Sequence, residues 1–204
     1  MRGLMFRSFF LLFGLTSALI AGCSDDDTAP APSPSVCAAV PAPVKPAAAC
    51  DVSIELPPIQ AQASLHVAEG TAVTYCSNPP SSGPHYSVWA NFQEFDSPVE
   101  APYLVHSLEH GGVVLFYKCE GACPEIIDQL RAIRDAVPID ERCFSPIRAR
   151  IILVPNPAIT TPVAAAAWGA TYRAACLDRP SLEAFVRDHY AKGPENICAP
   201  GRSF

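Results

Sequence analysis

The chain has 204 residues, of which 50% are hydrophobic and 17% are charged, and its formal net charge at pH 7 is −6. This length allows one domain with a substantial hydrophobic core. The 14 basic residues are scattered along an acidic chain, and this distribution excludes a basic surface for nucleic acid as the basis of function.

The N-terminal residues 1–22 have the pattern of a secretory signal peptide. Arg2 and Arg7 give a basic start, and the apolar run that follows is short for a membrane-spanning helix. The segment ends in Ala-Gly-Cys, which resembles the lipobox of bacterial lipoproteins. The resemblance implies an acylated Cys23, a membrane anchor and a location in the bacterial cell envelope. The residue after this cysteine is Ser24 and not aspartate, which by resemblance to enterobacterial sorting rules implies the outer membrane.

Residues 23–50 are rich in proline, alanine and serine, and this composition predicts an extended tether. The folded domain is then expected at residues 51–204. Apart from Cys23, eight of the nine cysteines remain, and an even number in an exported chain predicts disulfide bonds. The sequence does not fix their pairing. One option is a loop within the tether, closed by Cys37 and Cys50.

The first half of the domain is predicted to start with a short strand at residues 71–75, because β-branched residues alternate there. Proline and glycine impose a loop on residues 77–86. About two helical turns are expected from residue 101 onward, and Gly111 ends them. The apolar run 112–117 then predicts a strand that is buried on both faces.

The second half of the domain continues this alternation. Residues 123–137 predict an amphipathic helix, and Pro124 suits its first turn. Residues 148–156 predict a second buried strand. Residues 161–176 are ambiguous, since their alanines favour a helix while Gly169 allows a hairpin.

The last predicted helix covers residues 181–193, with Ser181 as its N-cap and Gly193 as its stop. Strands that alternate with helices predict an α/β fold, a single two-layer α/β sandwich stapled by disulfides. A degenerate thioredoxin-like arrangement is one form that such a domain can take.

Three histidines on constrained backbone are the strongest functional signal in the sequence. His106 and His110 are four residues apart on one face of the predicted helix, a spacing that lets two imidazoles bind one metal ion. His85 lies in the Pro- and Gly-rich loop before them, and three imidazoles suit copper, zinc or iron. Glu109 is expected to be a fourth ligand or a partner that fixes a ring tautomer. The sequence therefore predicts a transition-metal site, with copper favoured over zinc.

Other interpretations of these histidines stay open. Residues 106–110 match the H-x-x-E-H pattern of some metallopeptidases, but the helix is short and no later acidic ligand is evident, so hydrolysis is not favoured. In the other alternative the histidines only build the turn of a structural or protein-interaction lipoprotein, whose protein partner the sequence does not identify. His66 is interpreted as an isolated surface residue.

The stretches PPSSGPH, LVHSLEHG and PVAAAAWG carry a family resemblance. They resemble the patterns P-P-[ST]-S-G-P-H, L-V-H-x-L-E-H-G and, more loosely, P-V-x-L-x-A-W-G of a family of bacterial envelope proteins with a domain of unknown function. The resemblance covers about residues 73–195. It implies a site of four residues and three shaping residues, but no particular reaction. The residues are His85, His106, Glu109 and His110, shaped by Gly83, Gly111 and Trp168.

The sequence CEGACP, Cys119 to Pro124, lies at the predicted junction between a strand and a helix. It is similar to the C-x-x-x-C-P motif of the Sco copper chaperones, a thioredoxin-fold family in which two thiolates and a distant histidine bind copper. A helix N-terminus stabilises thiolates. The resemblance implies Cys119 and Cys123 as ligands, with His189 the only histidine downstream. The alternatives are a structural disulfide that involves one or both cysteines, and a mixed site shared with the histidines.

Overall fold

The computed structural model describes residues 37–204. The predicted signal peptide, the predicted lipidation site Cys23 and the start of the predicted tether lie outside these residues. Within residues 37–204, no helix combines the length and the hydrophobicity that crossing a membrane requires.

Strands and helices alternate in the described residues, as the sequence predicts. The strands are β1 (Val52–Glu55), β2 (His66–Val67), β3 (His85–Tyr86), β4 (Val113–Tyr117), β5 (Ile151–Pro155), β6 (Val163–Ala167) and β7 (Ala170–Ala174). The helices are α1 (Ala101–Glu109), α2 (Pro124–Ala136) and α3 (Arg179–His189).

Five of the strands form one mixed sheet in the order β1-β7-β6-β4-β5. Strands β4 and β5 are parallel and joined by α2, whereas β6 runs antiparallel to both β4 and β7. The ambiguous segment is therefore a hairpin. Gly169 lies in its two-residue turn with φ of +68°, a left-handed conformation that glycine adopts without strain.

Both faces of this sheet are covered, so the fold has a third layer beyond the predicted sandwich of sheet and helices. Helices α2 and α3 pack on one face, and α1 packs on the other with the loops before it. The first face is closed mainly by Leu130, Ile133, Leu182 and Phe185. The second is closed mainly by Tyr86, Phe92, Leu104 and Leu108. The α/β class is confirmed, and α1 belongs to the layer that carries the histidines.

Two local predictions are wrong. Residues 71–75 form no strand, because the Gln60 side chain takes hydrogen bonds that a neighbouring strand would make. Its amide donates to the Thr74 carbonyl at 2.8 Å and accepts from the Cys76 N–H at 3.1 Å. The last helix starts two residues earlier than predicted, since Asp178 is its N-cap and accepts from the Ser181 N–H at 3.1 Å.

Four disulfides staple the domain: Cys37–Cys76, Cys50–Cys176, Cys119–Cys123 and Cys143–Cys198. The optional loop between Cys37 and Cys50 is therefore wrong, because each is bonded to a cysteine of the domain. Val44 adds a backbone bridge to Ile54. Residues 37–50, predicted as part of the tether, are thus fastened to the domain.

We expect the disulfides to contribute unequally to stability. Cys50 and Cys176 are 126 residues apart, whereas Cys119 and Cys123 are 4 apart. In the loop-entropy account, removing the first costs about 5 kcal/mol and removing the second about 2 kcal/mol. The free energies of unfolding of Cys50→Ala/Cys176→Ala and Cys119→Ala/Cys123→Ala, measured in denaturant, test this order. Equal losses would contradict it.

Candidate metal centre

The candidate site is built where β3 and α1 meet the sheet at the start of β4. The short parallel pair of β2 and β3 places His66 opposite His85. Helix α1 supplies His106, and its C-terminal turn supplies Glu109 and His110. The predicted stop is confirmed: Gly111 has φ of +83° and donates its N–H to the carbonyl of Leu108 at 2.9 Å.

The loop that carries His85 is held by one side chain that the sequence analysis missed. Gln60 bonds to this loop through its amide group, and its backbone N–H donates to the Ser82 hydroxyl at 3.0 Å. Gly83 has φ of +132°, and a Cβ there would lie 3.0 Å from both Gln60 and Tyr75. The loop therefore has little freedom, and His85 has a fixed position.

His85 and Glu109 face each other in the interior. Their side chains are 0% and 2% exposed, and Nε2 of His85 lies 3.0 Å from Oε2 of Glu109. The other ring nitrogen, Nδ1, is 2.9 Å from the carbonyl oxygen of Gly83, and only an N–H makes that contact favourable. In the neutral ring, Nε2 therefore presents a lone pair to the carboxylate.

His106 is oriented in the same way. Its Nδ1 lies 2.6 Å from the carbonyl oxygen of Tyr86, so Nδ1 carries the proton and donates it. Its Nε2 therefore carries the lone pair and lies within hydrogen-bond distance of Nε2 of His110, at 3.1 Å. The predicted shared face of His106 and His110 is confirmed by this distance.

His66 is exposed, as predicted, but it belongs to the centre, so the interpretation that it is isolated is wrong. Its ring stacks on His106 with centroids 4.8 Å apart, and it meets His85 edge-on at 5.0 Å. Together with Glu109, these three histidines offer ligand atoms that all lie within 4.8 Å of one another. His66 is the exposed member of this set, which we call the inner group.

His110 takes part in a second cluster. His106, His110 and Glu195 also offer ligand atoms within 4.8 Å of one another, and we call them the outer group. Nε2 of His110 lies 3.2 Å from Oε2 of Glu195, whose side chain is 47% exposed. The predicted set of His85, His106 and His110 is thus split, and His106 is common to both groups.

Glu195 reaches the site because the chain after α3 passes close to the end of α1. The Glu195 N–H donates to the Glu109 carbonyl at 3.0 Å. Gly193 permits this approach, since a Cβ there would lie only 2.1 Å from the same carbonyl oxygen. Gly193 is therefore needed for the close approach of the two backbones. The prediction that it ends the last helix is wrong, because α3 ends at His189.

A buried arginine fixes the end of α1 from the other side. Arg150 is 2% exposed, and its guanidinium donates to the His110 carbonyl at 3.0 Å and to Asn196 Oδ1 at 2.7 Å. Its charge is balanced by Asp140 at 2.7 Å. This network ties His110 and the segment that carries Glu195 to one rigid group.

Burial keeps the two central rings neutral. The pKa of His106 is lowered to about 4 and that of His110 to about 3, chiefly by removal from water, and the neighbouring histidines contribute to both shifts. The indole of Trp89 contributes to this burial, with its ring 4.6 Å from His110 and 5.3 Å from His106. Neutral imidazoles are the form that binds metal ions.

The cysteine pair lies away from this centre. Cys119 and Cys123 form a disulfide at the start of α2. His110 precedes β4 and Cys119 follows it, and five strand residues span roughly 16 Å. His189 packs against Phe185 in α3. The optional mixed site of histidines and cysteines is therefore wrong.

Fold and site together define a disulfide-stapled α/β domain with a buried cluster of histidine and glutamate. A family model described as "Protein of unknown function (DUF3105)" matches residues 66–200, and the chain belongs to this family. The matched region includes every side chain of the inner and outer groups. No curated protein and no solved structure matches the chain.

Acid is expected to destabilise the metal-free protein before most carboxylates titrate. The pKa values of His106 and His110 fall from the ordinary 6.5 to about 4 and about 3 in the fold. Below pH 6.5 the unfolded chain binds protons that the native chain does not, so the contribution of these two rings makes stability fall from about pH 6.5 down to about pH 3 and is constant above pH 6.5. The facing groups are His66, His85, Glu109 and Glu195.

Denaturant midpoints at pH 7.5 and pH 5 measure this effect in the presence of a chelator. His110→Gln should flatten the dependence in this range. His189→Gln tests the same linkage outside the site: burial also lowers the pKa of His189, so this variant should flatten the dependence in part, although that ring lies outside both groups. An unchanged slope in His110→Gln would contradict the assignment.

Proposed function

We propose that this protein is a lipoprotein of the bacterial cell envelope that binds one transition-metal ion through the inner group. The ligands are His66, His85, His106 and Glu109, and copper is favoured over zinc. The single observation that carries this proposal is the buried contact between His85 and Glu109. The protein would buffer, sense or deliver the ion.

The contact between His85 and Glu109 calls for a cation. Two atoms with lone pairs, a ring nitrogen and a carboxylate oxygen, lie 3.0 Å apart and are almost completely buried. Because Nδ1 of His85 already donates to Gly83, a neutral ring leaves nothing between these two atoms. Either a second proton or a metal ion must lie there, since an uncompensated buried carboxylate is costly.

The surroundings favour the metal ion over the proton. A proton would satisfy only His85 and Glu109, whereas a metal ion also uses the unprotonated Nε2 of His106 and the ring of His66. Backbone carbonyls orient the rings of His85 and His106, as in metal sites whose ligating histidines donate their other N–H. Glu109 then acts as a ligand, because Gly83 and not Glu109 fixes the His85 tautomer.

The donor set narrows the choice of ion. Three imidazoles and one carboxylate form a nitrogen- and oxygen-based site, which suits copper, zinc, nickel or iron better than magnesium or calcium. Among divalent ions of the first transition row, copper binds such sites most strongly. If the ion is copper, we expect Cu(II) and not Cu(I), since thioether and thiolate ligands are the ones that select Cu(I).

The proposed location has its own support. Four disulfides suit an oxidising compartment. The signal-like N-terminus and Cys23 supply the proposed route and the lipid anchor. An anchored domain of this kind would hold its ion at the membrane surface.

Metal content tests the proposal directly. The full chain, expressed into an oxidising compartment without a His tag, should bind one Cu(II) or Zn(II) per chain by elemental analysis and titration. His106→Ala should weaken binding by more than about 100-fold, because loss of a supporting partner alone costs 10–100-fold. Glu109→Gln should weaken it as well.

His189→Ala is the matched control, since His189 is the one histidine outside both groups. It should bind the ion like the wild type. Absence of metal from the wild type under excess Cu(II) and Zn(II), with an unchanged melting temperature, would reject the proposal. The His85–Glu109 contact would then be a buried pair that shares a proton, as in the structural alternative.

One observation favours a second candidate function, thiol–disulfide exchange. The Cys119–Cys123 disulfide is half-buried and lies at the N-terminus of α2, where the helix dipole stabilises a released thiolate. Mild reduction should open this disulfide before the other three, with retention of the fold. Simultaneous reduction of all four, or none, would argue for a purely structural role.

A further inference from the structure

We infer that the outer group is a second metal position, and that one ion occupies either the inner or the outer position but never both. This inference rests on the proposed function and deepens it. Its new ligands are His110 and Glu195, which join His106. The alternation follows from the single free nitrogen of His106.

The outer position is formed by converging acceptor atoms. Nε2 of His110 lies 3.1 Å from Nε2 of His106 and 3.2 Å from Oε2 of Glu195. A proton on His110 Nε2 can point well at only one of these two neighbours. A metal ion satisfies all three atoms at once, and two imidazoles with one carboxylate suit the same ions as the inner group.

The backbone of the outer position is held firmly, but the His110 ring is not. Arg150 holds the backbone carbonyl of His110, and the Glu195 N–H bonds to the carbonyl of Glu109. Nδ1 of His110 is buried and has no hydrogen-bond partner, so no second contact fixes this ring in the metal-free protein. The ring therefore lacks the backbone orientation that His85 and His106 have, and we expect the outer position to bind more weakly.

Exclusion arises from the chemistry of one ring. Nδ1 of His106 is engaged by the Tyr86 carbonyl at 2.6 Å, so Nε2 is its only ligand atom. One nitrogen lone pair binds one ion. Both groups need this nitrogen, and the two positions consequently compete for it.

Solvent exposure distinguishes the positions. The inner carboxylate, Glu109, is 2% exposed, whereas the outer carboxylate, Glu195, is 47% exposed. An ion in the outer position is open to exchange with a small chelator or a partner. An ion in the inner position is covered on the Glu109 side and reaches solvent along His66. The outer position thus offers the protein a site for acquiring or releasing the ion.

The experiment removes the inner position and asks what remains. In the full chain, His85→Ala/Glu109→Gln should still bind one Cu(II), but more weakly than the wild type. Adding Glu195→Gln to this double variant should abolish the residual binding. In an otherwise wild-type chain, Glu195→Gln should leave the stoichiometry at one and slow the transfer of Cu(II) to a chelator.

Glu141→Gln is the matched control, because Glu141 is an exposed glutamate outside both groups. It should change neither the residual Cu(II) binding of the inner double variant nor the rate of Cu(II) transfer from the otherwise wild-type chain. Two Cu(II) ions in the wild type, or residual binding that is indifferent to Glu195→Gln, would overturn the inference. If the wild type binds metal and the inner double variant, folded by circular dichroism, binds none, only this inference fails. If the wild type binds none, the proposed function fails first.

Discussion

Two hydrogen bonds from imidazole to backbone determine what this site can do. His85 donates from Nδ1 to Gly83, and His106 donates from Nδ1 to Tyr86. Each bond selects one tautomer and aims the remaining lone pair at a neighbour. Without these bonds the rings would turn, and the buried histidines would satisfy each other. With them, Nε2 of His85 points at the Glu109 carboxylate and Nε2 of His106 points at His110.

Several backbone constraints in different parts of the fold place the histidines and glutamates of the site. The strand pair β2–β3 brings His66 to His85, and the glycines at residues 111 and 112 end α1 so that His110 faces inward. Arg150 and the passage of Gly193 against α1 then close the far side. Each constraint acts on backbone, so the positions of the side chains follow from the path of the chain and little from their own packing.

Local sequence patterns predicted much of the fold and of the site, whereas contacts between residues distant in sequence were not predicted. His106, Glu109 and His110 were found because a helical spacing of three or four residues is readable in the sequence. The same spacing revealed the amphipathic helix α2, and continuous apolar runs revealed the buried strands β4 and β5. His66 was missed because a strand pair of two residues has no periodicity, and its partner His85 is distant in sequence. Glu195 was missed because only the path of the folded chain brings it to His110.

The remaining errors also have physical causes. Alternating β-branched residues at 71–75 are compatible with a strand but do not require one. Gln60 supplies the hydrogen bonds that a neighbouring strand would supply. The alanines of β6 favour a helix by intrinsic propensity, yet β6 pairs with β4 on one side and β7 on the other and is buried along its whole length. Tertiary packing outweighs propensity in that strand.

The disulfide between Cys37 and Cys76 also has a mechanical meaning. If the chain before it is held at a membrane, any pulling force reaches the domain at Cys37. The force then passes through a covalent bond into the loop before His85, and it bypasses β1, an edge strand that pairs with β7 and otherwise only with Val44. An edge strand held by a few hydrogen bonds would peel under tension. The cross-link moves the point of loading away from that weak edge.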